Sequence, residues 1–98
     1  MSKSLVCEGL VARFALEHVE SGVNLTLTAH STNPERLYDL RFTQVIDLRF
    51  ENPVELGVNI VLLAEEWTLE GWENIRYRVR DHERGFLSFY CGGIEVLK

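Results

Sequence analysis

The sequence predicts a mainly β protein: a single-domain antiparallel sheet of about seven strands, folded as a sandwich or flattened barrel, with at most one short helix. Residues 72–91 alternate in polarity on both sides of a turn signal, and residues 23–30 alternate with polar positions that include two threonines. Alternation with a period of two is typical of strands that bury one face. A helix start is indicated at residues 52–55, and Gly57 limits such a helix to a single turn.

The first predicted hairpin joins two alternating segments, residues 10–17 and residues 23–30, through a loop at residues 19–22. Its register places two apolar pairs opposite each other, Leu16 with Leu25 and Phe14 with Leu27. The threonine-rich second segment is the clearer strand, because β-branched side chains fit a pleated surface. For residues 5–17 a helix stays open as an alternative, since several of their side chains also recur near helical spacing.

The middle of the chain contains a near-repeat, Asp39-Leu-Arg-Phe42 and Asp47-Leu-Arg-Phe50, within residues 37–42 and 45–50. It predicts two short strands of one sheet, each presenting leucine and phenylalanine inward. Residues 58–64 are nearly all apolar and lie between turn signals, which predicts a strand buried on both faces or running through the sheet centre. We expect residues 65–71 to form the main connection that follows.

The C-terminal hairpin turns at Glu83 and Arg84, with Gly85 in the left-handed region, as in a type I turn closed by a glycine bulge. The predicted cross-strand pairs are His82 with Phe86, Arg80 with Ser88, Val79 with Phe89, Arg78 with Tyr90 and Tyr77 with Cys91. One face of the hairpin is then apolar, and the other carries a row of arginines. The glycine pair that follows, Gly92-Gly93, predicts a bulge or sharp bend.

Composition restricts the class of protein. The 98 residues form one predicted domain, residues 1–98, and their 46% apolar content supports a core without metal or disulfide staples. A net charge of −5 disfavours nucleic-acid binding, which asks for a basic footprint. No apolar run reaches the roughly 20 residues needed to cross a bilayer, and no signal peptide is indicated. Two cysteines in apolar strands are typical of buried free thiols, so we expect a cytoplasmic protein without membrane contact.

The residue types that carry chemistry do not combine into a catalytic or metal site. The three histidines and two cysteines lack the short spacings of zinc ligands. Ser88 and Cys91 lie in a strand, not on the sharp turn that exposes a nucleophile. The acidic stretch around Glu65 and Glu70 is expected to be exposed, whereas a general acid needs burial. The sequence therefore disfavours an enzyme and predicts no metal and no cofactor.

Recognition of a protein partner is the remaining function. The candidate binding residues are three arginines and a tyrosine on one hairpin face, together with the neighbouring acidic stretch and its tryptophan: Arg76, Arg78, Arg80, Tyr90, Glu65, Glu66, Trp67 and Glu70. Arginine, tyrosine and tryptophan are enriched at interface hot spots, and Arg78 could stack on the opposite Tyr90. The alternative is that neighbouring strands supply carboxylates, so that the arginines form an internal ladder of salt bridges.

Two segments, residues 38–50 and residues 85–96, resemble small bacterial proteins of unassigned function, some of which are immunity proteins that neutralise a toxin made by the same cell. The resemblance covers about half of the chain and implies a non-enzymatic binding protein that acts through a protein partner. Two alternatives stay open. One is a β domain that binds a small ligand or uses glutamates as a small enzyme, and the other is a homo-oligomeric structural protein, such as a homodimer.

Overall fold

The alternating segments form eight strands in one antiparallel sheet, which is not closed. The structure, a computed structural model, describes residues 3–32, 35–50, 58–68, 70–71, 73–83, 85 and 87–97. Its strands are β1 (Lys3–Val19), β2 (Gly22–Thr32), β3 (Glu35–Thr43), β4 (Ile46–Phe50), β5 (Asn59–Glu66), β6 (Tyr77–Asp81), β7 (Leu87–Cys91) and β8 (Gly93–Val96). The predicted mainly β class is confirmed, with one strand more than the seven expected. The described residues contain no helix, and the helix start predicted at 52–55 lies outside them.

The strands lie in the order β4-β7-β6-β5-β1-β2-β3-β8, so that β1 is shared by two halves of the sheet. Residues 3–10 of β1 pair with β5, whereas residues 10–19 pair with β2. The register of β1 shifts twice, between Leu5 and Cys7 and between Val11 and Arg13. Such bulges bend a strand and increase its twist. We call β4, β7, β6 and β5 the hairpin half, and β2, β3 and β8 the meander half.

The first hairpin has the predicted register, with Leu16 opposite Leu25 and Phe14 opposite Leu27. Residues 5–17 are therefore strand, and the helical alternative is wrong. The turn is tighter than the predicted loop, because Val19 already pairs with Gly22.

The two halves of the sheet face each other across the core. The ring of Phe42 on β3 meets the ring of Phe89 on β7 edge to face, with 4.9 Å between centroids, although β3 and β7 are not neighbours in the sheet. The least exposed core side chains come from both halves and from β1: Cys7, Val11, Leu25, Leu27, Ala29, Leu40, Phe42, Leu62, Val79, Leu87, Phe89 and Cys91. Each large apolar side chain buried in this way stabilises the fold by about 1.5–3 kcal/mol.

The near-repeat in the middle of the chain behaves differently in its two copies. Leu40 and Phe42 of β3 are buried as predicted, but Phe50 of β4 remains 42% exposed. The prediction that Phe50 is buried like Phe42 is therefore wrong, because Phe50 is only partly covered. Among the described strands β4 lies at the sheet edge and pairs with β7 alone, and the ring of Phe50 contacts the ring of Phe14, with 5.6 Å between centroids.

Strand β5 occupies the centre of the sheet between β6 and β1, as predicted for the apolar segment 58–64. It is completely buried on one face only, through Ile60, Leu62 and Ala64. The strand continues through Glu66, so the connection that was predicted to begin at residue 65 begins at Trp67. The extension follows from cross-strand pairing, because Glu65 lies opposite Arg78 of β6 and Lys3 of β1.

The C-terminal hairpin has the predicted register in every pair that the structure describes. Arg80 faces Ser88, Val79 faces Phe89, Arg78 faces Tyr90 and Tyr77 faces Cys91. Gly85 has the expected positive φ of 68°, and the chain bends at Gly92 before β8. The pairing predicted for His82 and Phe86 lies outside the described residues. Burial of the apolar face fixes this register, since a slip of one residue would turn the arginines inward.

Candidate functional site

The outer face of the hairpin half carries the charged side chains of the candidate site. Successive residues of a strand point to opposite faces, so the register that buries Val79 and Phe89 turns Arg78, Arg80 and Ser88 outward. Strand β4 adds Arg49, which lies opposite Ser88. A row of polar side chains, Arg49, Ser88 and Arg80, therefore crosses three neighbouring strands.

A groove of about 620 Å³ runs over this face. Four cations line it, namely Lys3, Arg49, Arg78 and Arg80, together with the carboxylates of Glu65 and Asp81. We call it the basic groove. Ser88 lies within it, and Phe50, Leu63 and Leu87 supply apolar surface.

Arg78 is held by two contacts inside the molecule. Its Nη1 lies 3.7 Å from Oε1 of Glu65, and the two side chains are 29% and 12% exposed. Its guanidinium also lies over the ring of Trp67, 5.0 Å from the centroid, and the Trp67 ring in turn approaches Tyr90 at 6.2 Å. The sequence predicts that Arg78 stacks on Tyr90. This prediction is wrong, because the guanidinium of Arg78 lies over the ring of Trp67 instead.

The other two arginines of the predicted row, Arg76 and Arg80, have no such anchors among the residues that the structure describes. Arg76 and Arg80 are both exposed, and neither forms an ion pair with another residue that the structure describes. Within the described part of the chain, Arg78 is thus the one arginine of the row that forms the predicted internal salt bridge. Arg80 lies in the basic groove, while Arg76 does not line it.

The acidic residues predicted for the same site are divided by the sheet. Glu65 lies in the basic groove, but Glu66 is on the opposite face, paired with Tyr77, and is exposed. Glu70 lies in the exposed turn after β5. The structure thus brings together Arg78, Arg80, Tyr90, Glu65 and Trp67, and it separates Glu66 from this cluster.

Two of the four cations that line the groove, Lys3 and Arg49, are not among the residues predicted from the sequence. Lys3 enters the groove because β1 pairs with β5, which puts it opposite Glu65. Arg49 enters because β4 pairs with β7, and its Nε donates a 3.0 Å hydrogen bond to Oδ1 of Asp47. This hydrogen bond raises the pKa of Arg49, so the side chain stays fully charged. Both pairings are long-range, and no local signal in the sequence indicates them.

Asp81 is buried, at 4% exposure, which is unusual for a charged residue. Its Oδ1 accepts hydrogen bonds from the backbone N–H groups of Val61 and Glu83, each at 3.1 Å. The carboxylate therefore ties the end of β6 to β5 and to the turn, which is a structural role.

The cysteines are not equipped for catalysis. Burial raises the pKa of Cys7 and of Cys91 to about 12, so both thiols are protonated at neutral pH and cannot act as nucleophiles. Within the described ranges, histidine, cysteine and acidic residues form no group of three that could hold a metal ion. The same ranges contain no helix long and apolar enough to span a membrane.

Fold and site together define a small all-β domain that presents a charged groove on the outer face of its sheet. The model of a family described as Immunity protein PIM8 matches residues 5–96, from β1 to β8, and the chain belongs to this family of immunity proteins. No curated protein and no solved structure matched the chain. The family agrees with the resemblance that the two sequence segments carry.

Proposed function

We propose that the protein is a bacterial immunity protein that binds a protein toxin and blocks it by occupying its surface. The family match over residues 5–96 is the observation that carries this proposal. The predicted binding mode needs no cofactor, because occupancy alone prevents a toxin from reaching its target. Two free buried cysteines support action in the cytoplasm, where thiols stay reduced.

The binding surface that we propose is the outer face of the hairpin half. Its cluster combines arginine, tryptophan and tyrosine, the side chains that dominate hot spots of protein interfaces. Arg78 is already engaged by Glu65 and Trp67, so it gives the surface a fixed shape. Arg80 has no ion pair among the described residues and remains available to a partner. Arg76 and Glu70 are exposed at the periphery, where contacts steer association more than they stabilise it, whereas Glu66 is exposed on the opposite face of the sheet.

The lining of the basic groove favours a protein partner over a small ligand. Small-ligand sites are mostly apolar with a few convergent polar groups. This groove instead exposes more polar than apolar surface and carries four cations. Self-association through the edge strands β4 or β8 stays a prediction, which light scattering on the purified protein would check.

The test begins with capture of the partner. The protein is immobilised and exposed to a lysate of the source organism. Each protein that it retains is then expressed alone in a host that contains neither that protein nor this chain. We expect one of them to arrest growth, and we expect coexpression of this chain to restore it. Retained proteins that leave growth unchanged, or an arrest that this chain does not relieve, would contradict the proposed function.

A double variant, Arg76→Glu with Arg80→Glu, locates the surface without touching the anchored Arg78. Its matched control is Arg13→Glu with Arg36→Glu, which reverses the same charge at two exposed arginines away from the groove. Protection lost in the first variant and kept in the control is the expected result. Equal protection by the two variants would show that the toxin binds elsewhere than on the hairpin.

A further inference from the structure

We propose that the basic groove receives an acidic segment of the protein partner, whose carboxylates pair with Arg80, Arg49 and Lys3. This inference rests on the proposed function, and it adds the chemistry of the surface that the toxin presents. It follows from the charge of the groove, the spacing of its donors and the ion pairs already formed within the molecule.

The groove is positive on a chain that is negative. The protein carries a net charge of −5, yet four cations line the groove against two carboxylates. One of those carboxylates, Asp81, is buried and accepts hydrogen bonds from two backbone N–H groups. The other, Glu65, is engaged by Arg78, and Arg49 is itself paired with Asp47 at 3.0 Å. Arg80 and Lys3 form no ion pair with a described residue, so the charge that the groove exposes to a partner is cationic, and Arg49 can join only by sharing its guanidinium with Asp47.

The donors in the groove form a regular row. Arg49, Ser88 and Arg80 lie opposite one another on β4, β7 and β6. Neighbouring strands are about 4.8 Å apart, so the backbones of the two arginines are roughly 10 Å apart with a hydroxyl between them. A carboxylate in this row can accept hydrogen bonds from Ser88 and from a guanidinium on either side. Arg80 has no internal ion pair among the described residues, so it can pair with a partner without breaking an existing contact.

A protein segment fits the groove better than a nucleic acid does. The net charge of −5 repels a polyphosphate and an acidic peptide alike, so charge does not separate the two. The groove offers apolar surface from Phe50 and Leu63, which suits the aliphatic parts of peptide side chains. An acidic peptide can use both the cations and this apolar surface, whereas a phosphate backbone can use the cations alone.

The experiment uses the full chain and two probes of equal charge, a fluorescent polyglutamate peptide and an oligothymidylate. Affinities are measured at low salt for the wild type, for Arg80→Glu and for Arg13→Glu. Arg13 is the matched control, because it is also an exposed strand arginine without an ion pair to a described residue, and it lies outside the groove. Circular dichroism and thermal unfolding confirm that both variants keep the wild-type fold.

We expect polyglutamate to bind the wild type and Arg13→Glu alike, and to bind Arg80→Glu about fivefold more weakly, which corresponds to about 1 kcal/mol. We expect oligothymidylate to bind more weakly than polyglutamate. Equal peptide affinity in all three proteins would overturn the proposal. Tighter binding of oligothymidylate would also overturn it, in favour of a nucleic-acid site.

The toxin recovered by capture separates this proposal from the proposed function. A toxin that loses affinity for Arg80→Glu but not for Arg13→Glu supports both. A toxin that binds Arg80→Glu as tightly as the wild type overturns the groove as its docking site and leaves the immunity role standing. If capture yields no toxin while the peptide result holds, the immunity role fails and the acidic-peptide site remains.

Discussion

Replacing Arg78 by methionine should destabilise the fold, because Arg78, among the hairpin arginines that the structure describes, is the one with side-chain anchors inside the molecule. The substitution keeps an unbranched apolar stem but removes the guanidinium from Glu65 and from the Trp67 ring. Glu65 is 12% exposed and would keep only Lys3 opposite it. Breaking a buried pair costs about 3–5 kcal/mol and an exposed pair at most about 1 kcal/mol, so this half-buried pair with its cation–π contact should contribute about 2 kcal/mol.

Urea unfolding followed by circular dichroism measures this loss, and a fall in the melting temperature of roughly 10 °C should accompany it. Arg80→Met is the control on the same strand and face, and we expect its free energy of unfolding to stay within about 0.5 kcal/mol of the wild type. Adding Glu65→Gln to Arg78→Met should recover part of the loss, because the uncompensated carboxylate is removed. Equal losses in Arg78→Met and Arg80→Met would refute the distinction between an anchored and a free arginine.

The remaining predictions concern the core, one glycine and the thiols. A double-mutant cycle with Phe42→Leu and Phe89→Leu should give a coupling energy of about 1 kcal/mol, and a value near zero would mean that the two halves do not pack face to face. Gly9→Ala should lower the free energy of unfolding by at least about 2 kcal/mol, since φ is +130° and the new Cβ would lie 2.5 Å from a carbonyl oxygen of β2. Gly71→Ala is the control: its Cβ meets nothing within 4 Å, and it should lower the free energy of unfolding by only about 1 kcal/mol. Because burial raises the pKa of both thiols, the unfolded state loses protons first as the pH rises. The free energy of unfolding should therefore fall by about 1.4 kcal/mol per thiol from about pH 8 to about pH 10, a loss that a variant with alanine at both cysteines should not show.

The hairpins could be predicted from the sequence because their information is local. A turn, two alternating segments and a buried face fix the register, and both predicted registers are confirmed, for Leu16 with Leu25 and for Arg78 with Tyr90. Burial of Phe50 could not be predicted in the same way. Whether a strand lies at the edge or inside a sheet depends on pairings with distant segments, and alternation does not reveal them.

The candidate site was predictable in part for the same reason. The stacking partner of Arg78 is Trp67, which follows β5, and β5 lies beside β6 only through a pairing that the sequence does not encode locally. The sequence predicts the acidic stretch as an exposed loop, in which all its side chains could share one surface. Since it continues β5, Glu65 and Glu66 point to opposite faces and cannot serve the same groove.

The position of β1 has a consequence for how the chain reaches its native state. The meander of β1, β2 and β3 closes through neighbours in sequence, whereas β5, β6 and β7 join it through pairings between distant segments, of β5 with the N-terminal part of β1 and of β8 with β3. Loop closure over such a separation is entropically costly, and folding dominated by non-local strand pairing takes milliseconds to seconds. We therefore expect the meander to form early. The basic groove should form last, because its lining includes Lys3 of β1 as well as Leu63 and Glu65 of β5, which come together only in this late pairing.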